Sequence, residues 1–155
     1  MKSLIGEYHC KLDAKGRFLM PSGLRKQLPE DQQNDFVINR GLDKCLVLWP
    51  LAVWEKESAK IRALNSYDPK RRAFQRMFFS GAREVQLDGS GRVLLTSFLI
   101  EHAGLGKALV LEAQSDRVEI WDKNAFEGWM EDPGYDFGML AEEVMKDLGS
   151  GEGGQ

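Results

Sequence analysis

Lys11, Asp13, Lys15 and Arg17 place three cations and a carboxylate within seven consecutive positions. An arginine fork can engage O6 and N7 of guanine in a major groove, and lysine can neutralise phosphate as a point charge. The residues around them describe what would present those groups. In Leu12-Asp13-Ala14-Lys15-Gly16-Arg17 the Asp-x-x-Gly spacing marks a tight turn whose glycine supplies a positive φ. Tyr8–Leu12 precedes it and Phe18-Leu19-Met20 follows, both rich in β-formers, so the expected element is a hairpin narrow enough to enter a major groove. A purely structural use fits the same residues, because an Asp13 carboxylate can satisfy turn amides while Arg17 covers a neighbour. On residue chemistry alone the two uses stand level.

The motif occurs twice. Leu87-Asp88-Gly89-Ser90-Gly91-Arg92 repeats it 75 residues on and runs into Val93-Leu94-Leu95. Further along, Leu46-Val47-Leu48-Trp49 lines up with Val118-Glu119-Ile120-Trp121 at an offset of 72, which assigns about three extra residues to the Pro29–Asp35 loop of the first copy. The copies differ where charge matters. Gly89-Ser90 replaces Ala14-Lys15, and Thr96 and Ile100 replace Pro21 and Arg25. Having lost a lysine, the second hairpin makes Arg92 a weaker candidate contact than Arg17; Arg25, on the helix after the first hairpin, is a further weaker one.

Catalytic chemistry finds little support. His9 and His102 are the only histidines, His9 abuts Cys10 on a strand where neighbours face opposite ways, and no Cys/His spacing suits zinc. A nucleophile elbow, a phosphate-cradling loop and a dinucleotide fingerprint are absent, and Gly104-Leu105-Gly106-Lys107 reads as a turn. The expectation is a non-enzyme with no catalytic residue, no metal, no cofactor and no small-molecule substrate. Two cysteines and no apolar leader in Met1–Glu7 point to a reducing, cytoplasmic setting. The longest apolar run, Cys45–Trp54, carries Pro50 and is half the roughly 20 residues that a membrane span needs.

The elements that must position these groups follow from local signals. After each hairpin comes a short helix, Ser22–Leu28 or Ser97–Ala103, where a serine can cap the first turn and Gly104 can end the second copy's helix. Two strands follow, Phe36–Arg40 with Leu46–Trp49 and Ala108–Glu112 with Arg117–Trp121; a closing helix is started by Pro50 in one copy and capped by Asp122 in the other. The pattern is α+β, a ββαββα unit written twice. First and second repeats are expected over 1–66 and 82–130, joined by a basic linker helix over 67–81. In that helix Ala73, Phe74, Met77 and Phe78 form an apolar stripe, and Lys70, Arg71, Arg72 and Arg76 lie on other faces. Packing against the body or a neighbouring subunit, with arginines paired to acidic residues there, suits the stripe better than a nucleic-acid or membrane surface. The four tryptophans suit core or interface positions. Residues 131–155 form an acidic tail with a weak amphipathic pattern from Phe137 to Leu148, and Gly149–Gln155 is expected to be disordered.

With 155 residues, 43% of them hydrophobic, the chain can build a core without staples. The net charge of −3 argues against a polyanionic partner until its distribution is read. Residues 1–76 carry +6, 77–126 carry −2 and 127–155 carry −7, so the body can hold a positive patch and the tail should oppose non-specific contact with phosphate.

An ordered set of motifs resembles the MraZ family of bacterial transcriptional regulators: Gly6-Glu7-Tyr8 and Leu12–Arg17, Gly41-Leu42-Asp43 with Leu48-Trp49-Pro50-Leu51, Arg72-Ala73-Phe74-Gln75-Arg76 with Ser80-Gly81-Ala82, and Ile120-Trp121-Asp122. The resemblance implies tandem swapped-hairpin, AbrB-like halves with pseudo-two-fold symmetry, and subunits assembled into a ring. It also implies binding to promoter repeats of the cell-division and cell-wall gene cluster, the protein's own gene included, at the nucleoid. It tips Arg17 toward DNA, with Lys15 and Lys11 beside it and Asp13 organising the turn. The competing class is an oligomeric interaction module whose partner is another protein, which has no need of Lys11, Lys15 and Arg17 together.

Overall fold

The computed structural model describes residues 2–153. A first compact unit runs to Lys123 and a second begins at Asn124. The first contains β1 (Glu7–Lys11), β2 (Arg17–Leu19), α1 (Ser22–Arg25), β3 (Asp35–Arg40), β4 (Leu46–Pro50), α2 (Leu51–Arg62), α3 (Pro69–Phe79), β5 (Arg83–Gln86), β6 (Arg92–Leu94), α4 (Ser97–Ala103), β7 (Ala108–Gln114) and β8 (Arg117–Asp122). A 3-10 turn, Glu30–Gln32, fills the longer loop of the first copy. The second unit holds α5 (Lys123–Glu131), which begins at the boundary, and α6 (Phe137–Gly153).

Six strands form an antiparallel sheet in the order β1-β7-β8-β4-β3-β5, and β2 pairs with β6 in a separate two-stranded ladder. Exchanging β1 for β5, β2 for β6, β3 for β7 and β4 for β8 reverses the order and leaves it unchanged, which is the pseudo-two-fold symmetry that the repeat demands. Its axis passes through the Val47↔Glu119 pair of the large sheet and the Phe18↔Val93 pair of the small one.

The expected hairpins are corrected by this pairing. β1 and β2 flank a tight turn but share no ladder; β1 pairs with β7 and β2 with β6, so each strand of the first copy hydrogen-bonds to the second. The halves are therefore interlaced, and the two-stranded ribbon belongs to both of them.

Alternation along the strands explains the two cores. Phe36 and Ile38 of β3, with Leu46 and Leu48 of β4, face a main core that takes in Phe18, Val93, Leu24 and Leu99 from β2, β6, α1 and α4. The intervening Val37, Val47 and Trp49 face the other way, onto Trp54 of α2. Phe78 and Phe79 of α3 pack there too, Phe78 stacked on Trp54 with ring centroids 5.4 Å apart. Buried Asn39 fixes this junction, accepting from Trp49 Nε1 at 2.6 Å and donating to the Phe78 carbonyl at 3.2 Å.

The docking of α3 departs in detail from its sequence pattern. Phe78 and Phe79 are its packed residues, while Phe74 and Met77 stay partly exposed. Arg71 pairs with Asp68 at the helix's own start, and Arg72 donates to the Ser66 carbonyl. Local partners are closer to those arginines than the body's carboxylates, which is why the expected cross-pairing does not form for them. Two caps also differ. α1 spans only Ser22–Arg25 with Pro21 at its N-cap and no side-chain cap bond, whereas Thr96, not Ser97, caps α4 by accepting from Leu99 N. Gly104 ends α4 in the left-handed region at φ 61°. In the second unit, α6 continues past Leu148 to Gly153, through part of the Gly149–Gln155 stretch that the sequence reading expects to be disordered. Gly154 and Gln155 lie outside the described residues.

Candidate nucleic-acid interface

Both Asp-x-x-Gly-Arg segments close in the same way. In the first, Asp13 N donates to the Arg17 carbonyl at 2.8 Å and Gly16 N donates to the Asp13 carbonyl at 3.0 Å. Asp13 Oδ1 accepts from the amides of Lys15 and Arg17, each at 2.9 Å. In the second, Asp88 Oδ1 accepts from Ser90 and Arg92 at the same distance. The structural use of these aspartates is thus real in both copies. Gly16 and Gly91 take φ of 81° and 79°, and the carbonyl of each accepts across the pseudo-dyad, Gly16 from Leu95 N at 2.8 Å and Gly91 from Met20 N at 3.0 Å. A Cβ on Gly16 would come within 3.0 Å of the Leu95 carbonyl, so a side chain there is excluded by contact as well as by φ.

These bonds hold both carboxyls below the ordinary carboxylate value. For Asp13 the Arg17 amide contributes most, reinforced by the Arg17 side chain, the Lys15 amide and the Arg17 charge. For Asp88 the Arg92 amide leads, followed by the Ser90 amide and the charges of Arg92 and Arg17. That Asp88 senses Arg17 places the two turns within electrostatic reach of each other.

The arginines are held differently. Arg17 Nε donates to Asp13 Oδ2 at 2.9 Å, and its side chain is 26% exposed. Among the described residues, no hydrogen bond engages its two terminal nitrogens. Arg92 Nε lies 3.2 Å from Asp88 Oδ2 without hydrogen-bond alignment and is buried with no partner, while Nη2 donates to Ser90 Oγ at 3.3 Å. Asp13 therefore steadies the Arg17 fork by its inner nitrogen and leaves the tips open; the Arg92 fork folds back on its own turn.

Strand alternation sets the face on which these groups lie. Phe18 and Val93, 1% and 0% exposed, point into the core. Arg17, Leu19, Arg92 and Leu94 consequently share the outer face of the β2–β6 ladder, Arg17 opposite Leu94 and Leu19 opposite Arg92.

Interlacing brings in residues distant in sequence. Leu12 N donates to the Lys107 carbonyl at 2.8 Å, and exposed Lys107 joins Leu12, Asp13 and Ala14 in lining an open cleft of about 600 Å³ beside the first turn. Lys107 escapes a reading by local motif, since it follows Gly104-Leu105-Gly106 as a turn residue. Only the β1–β7 register, which sets Lys11 against Ala108, shows where it lies. Lys11 and Lys15, on either side of Asp13 in sequence, are both exposed. At the pseudo-symmetric positions of the second turn stand Gln86, which donates to Asp35 Oδ1 at 2.9 Å, then Ser90 and Asn34. Arg25 belongs to that neighbourhood and not to the first turn. Its Nη1 lies 3.4 Å from where a Gly91 Cβ would be, its Nε donates to the Gln33 carbonyl at 3.2 Å, and its Nη2 donates to Asn34 Oδ1.

Elsewhere the chemistry is muted. Burial pushes the Cys10 thiol up to about 11 and that of Cys45 up to about 12, the latter helped by the charges of Glu119 and Asp43, so both stay protonated near neutrality. Among the described residues, no group of three or more His, Cys, Asp or Glu side chains is disposed to hold a metal ion, and no helix is long and apolar enough to cross a membrane.

Comparison with known proteins adds an independent line. The chain matches the sequence model of a family described as "MraZ protein, putative antitoxin-like" in two tandem copies, residues 4–77 and 78–133. It is 43% identical over 146 residues to the transcriptional regulator MraZ of Christiangramia forsetii, covering 94% of each chain. Its counterpart of the same name from Flavobacterium psychrophilum is 39% identical over 155 residues, 99% of each chain, and that from Acetivibrio thermocellus is 41% identical over 139 residues, 90% of this chain and 94% of the relative.

Proposed function

The chain belongs to the MraZ family of transcriptional regulators, and from that premise we propose that it binds specific double-stranded DNA through the outer face of the β2–β6 ladder and the turns beside it. One observation carries this reading: the Arg17 fork is anchored by Asp13 through Nε alone, with its tips unengaged by described residues, among exposed Lys11, Lys15 and Lys107. Arg17 then reads a guanine edge, the lysines engage phosphate, and Asp13 acts as the positioning residue. Arg92 and Arg25 make weaker contacts because their own turn and loop already occupy part of each fork.

The DNA is taken to be short promoter repeats of the cell-division and cell-wall gene cluster, including the region ahead of the protein's own gene, with the protein working at the nucleoid. A homo-oligomer, closed as a ring, would set several such faces against spaced repeats and raise affinity through effective concentration. The partly exposed Phe74 and Met77, with Leu42 beside them across a small cleft, supply apolar surface for subunit contacts. The alternative of a protein-binding module draws on that surface alone and leaves the cation cluster without a use.

A salt-titrated binding assay on the upstream region against a scrambled duplex of equal length tests the reading. Tighter binding to the upstream region, with affinity falling steeply as salt rises, is expected. Equal affinity for both duplexes would contradict it.

A further inference from the structure

Leu19 and Leu94 are apolar side chains on the outer, solvent-facing side of the ladder. They are 58% and 53% exposed, although both neighbours on the ladder's core side, Phe18 and Val93, are sealed. Each is the cross-strand partner of an arginine, Leu94 of Arg17 and Leu19 of Arg92, so the outer face carries two Arg/Leu pairs related by the pseudo-dyad. The repeats that differ at Lys15 and Ser90, and again at Arg25 and Ile100, share leucine at this position. Polar residues would serve an exposed ladder face equally well in water, and cross-strand neighbours on one face approach within about 5.5 Å.

We infer that Leu19 and Leu94 are base-reading residues that contact the C5-methyl groups of thymines, Leu94 beside the guanine engaged by Arg17 and Leu19 beside the weaker contact of Arg92. This rests on the DNA-binding reading above and names the base chemistry at that same face. Three observations select the occupant. The patch is flanked by Arg17, Arg92 and Lys15, which suits a polyanion and repels a second copy of the same basic face. It is two strands wide, which suits a groove about 12 Å across. Its apolar element is a pair of leucine tips and not a broad surface, and the only apolar group that a base pair exposes in the major groove is the thymine methyl. Spacing supports the combination, since an arginine fork and a leucine tip on opposed positions of one ladder reach neighbouring base pairs about 3.4 Å apart. The Arg17/Leu94 pair therefore favours a thymine next to its guanine, and the pseudo-dyad sets the weaker Arg92/Leu19 pair beside it on the same face.

The experiment uses the intact chain and a duplex enriched by it from a random-sequence library, synthesised once with thymine and once with deoxyuridine at every thymine of one strand at a time. Uracil keeps the pairing edge and removes only the methyl. The wild type should lose roughly fourfold in affinity for each contacted methyl, the factor that corresponds to burying one such group. Leu19→Ala and Leu94→Ala should bind the thymine duplex more weakly and respond less to uracil, each abolishing the response at its own position. Equal wild-type affinity for both duplexes would overturn the inference, as would an undiminished uracil response in both variants. A changed oligomeric mass in Leu19→Ala with the uracil response intact would assign the patch to subunit contact and overturn it too. Failure of the library to enrich any sequence would instead defeat the DNA-binding reading itself, so the two failures are distinguishable.

Discussion

The two turns are alike in backbone and unlike in charge. Each has an aspartate accepting two amides, a glycine near φ 80° and a carbonyl bonded to the other half, so the scaffold is present in duplicate. Around the first turn stand Lys11, Lys15, Arg17 and Lys107; around the second the same places hold Gln86, Ser90, Arg92 and Asn34. A shared scaffold with a diverged surface separates what folding requires from what recognition requires. The turn chemistry occurs twice because each turn braces its counterpart; on the proposed reading, the cations are needed chiefly once.

The largest break in that comparison comes from Arg17→Ala. If the first turn carries base readout, this variant loses roughly 1–3 kcal/mol per engaged site together with preference for the upstream region over a scrambled duplex. Arg92→Ala, measured in the same competition assay, should lose clearly less. Equal losses would make the two turns functionally equivalent despite their charges.

Lysine substitutions come next. Lys15→Ala and Lys107→Ala should each weaken binding to every sequence and reduce the slope of log affinity against log salt by about 0.9 for each phosphate that the variant no longer neutralises, leaving base preference unchanged. A shift in sequence preference would show that these side chains read bases. The reverse exchange sharpens the comparison: Ser90→Lys gives the second turn the charge that the first has, and should steepen the salt dependence by a similar amount. No change in slope would mean that the second turn stays away from phosphate for reasons of geometry.

The smallest effect concerns protonation. Asp13 and Asp88 both titrate below the ordinary aspartate value of 3.8, so the folded state binds their protons less readily than the unfolded chain does. Their contribution to stability is therefore complete above that value and is lost as pH falls through the lower, folded-state pKa. Carboxyl resonances followed by NMR from about pH 6 downward, well above the unfolded aspartate value, should show both midpoints below 3.8, with Arg17 Nε losing its hydrogen-bonded shift as Asp13 protonates. A midpoint for Asp13 at or above 3.8 would remove the claim that it steadies the fork.

Much of this was legible from residues. The matching runs of β-formers in the two copies located β3, β4, β7 and β8, and the Asp-x-x-Gly spacing located both turns, because those signals are local. Partner choice was not local. Nothing in Tyr8–Leu12 says that it pairs with β7 and not with β2, and so neither Lys107 beside the first turn nor Arg25 beside the second could be placed from motifs. The α3 stripe misled for a related reason: Phe74, Met77 and Phe78 share a helical face, but the aromatic pocket made by Trp49 and Trp54 takes Phe78 and Phe79 instead.

Guanine-N7 methylation interference, run on the enriched duplex with wild type and Arg17→Ala side by side, tests the central claim most directly. Methylation occupies the acceptor that an arginine fork needs. Wild-type binding should be blocked at specific guanines, and the Arg17→Ala protein, still folded and still held by its lysines, should become indifferent to methylation at those assigned to the first turn. The same guanines blocking both proteins would contradict the assignment of base reading to Arg17.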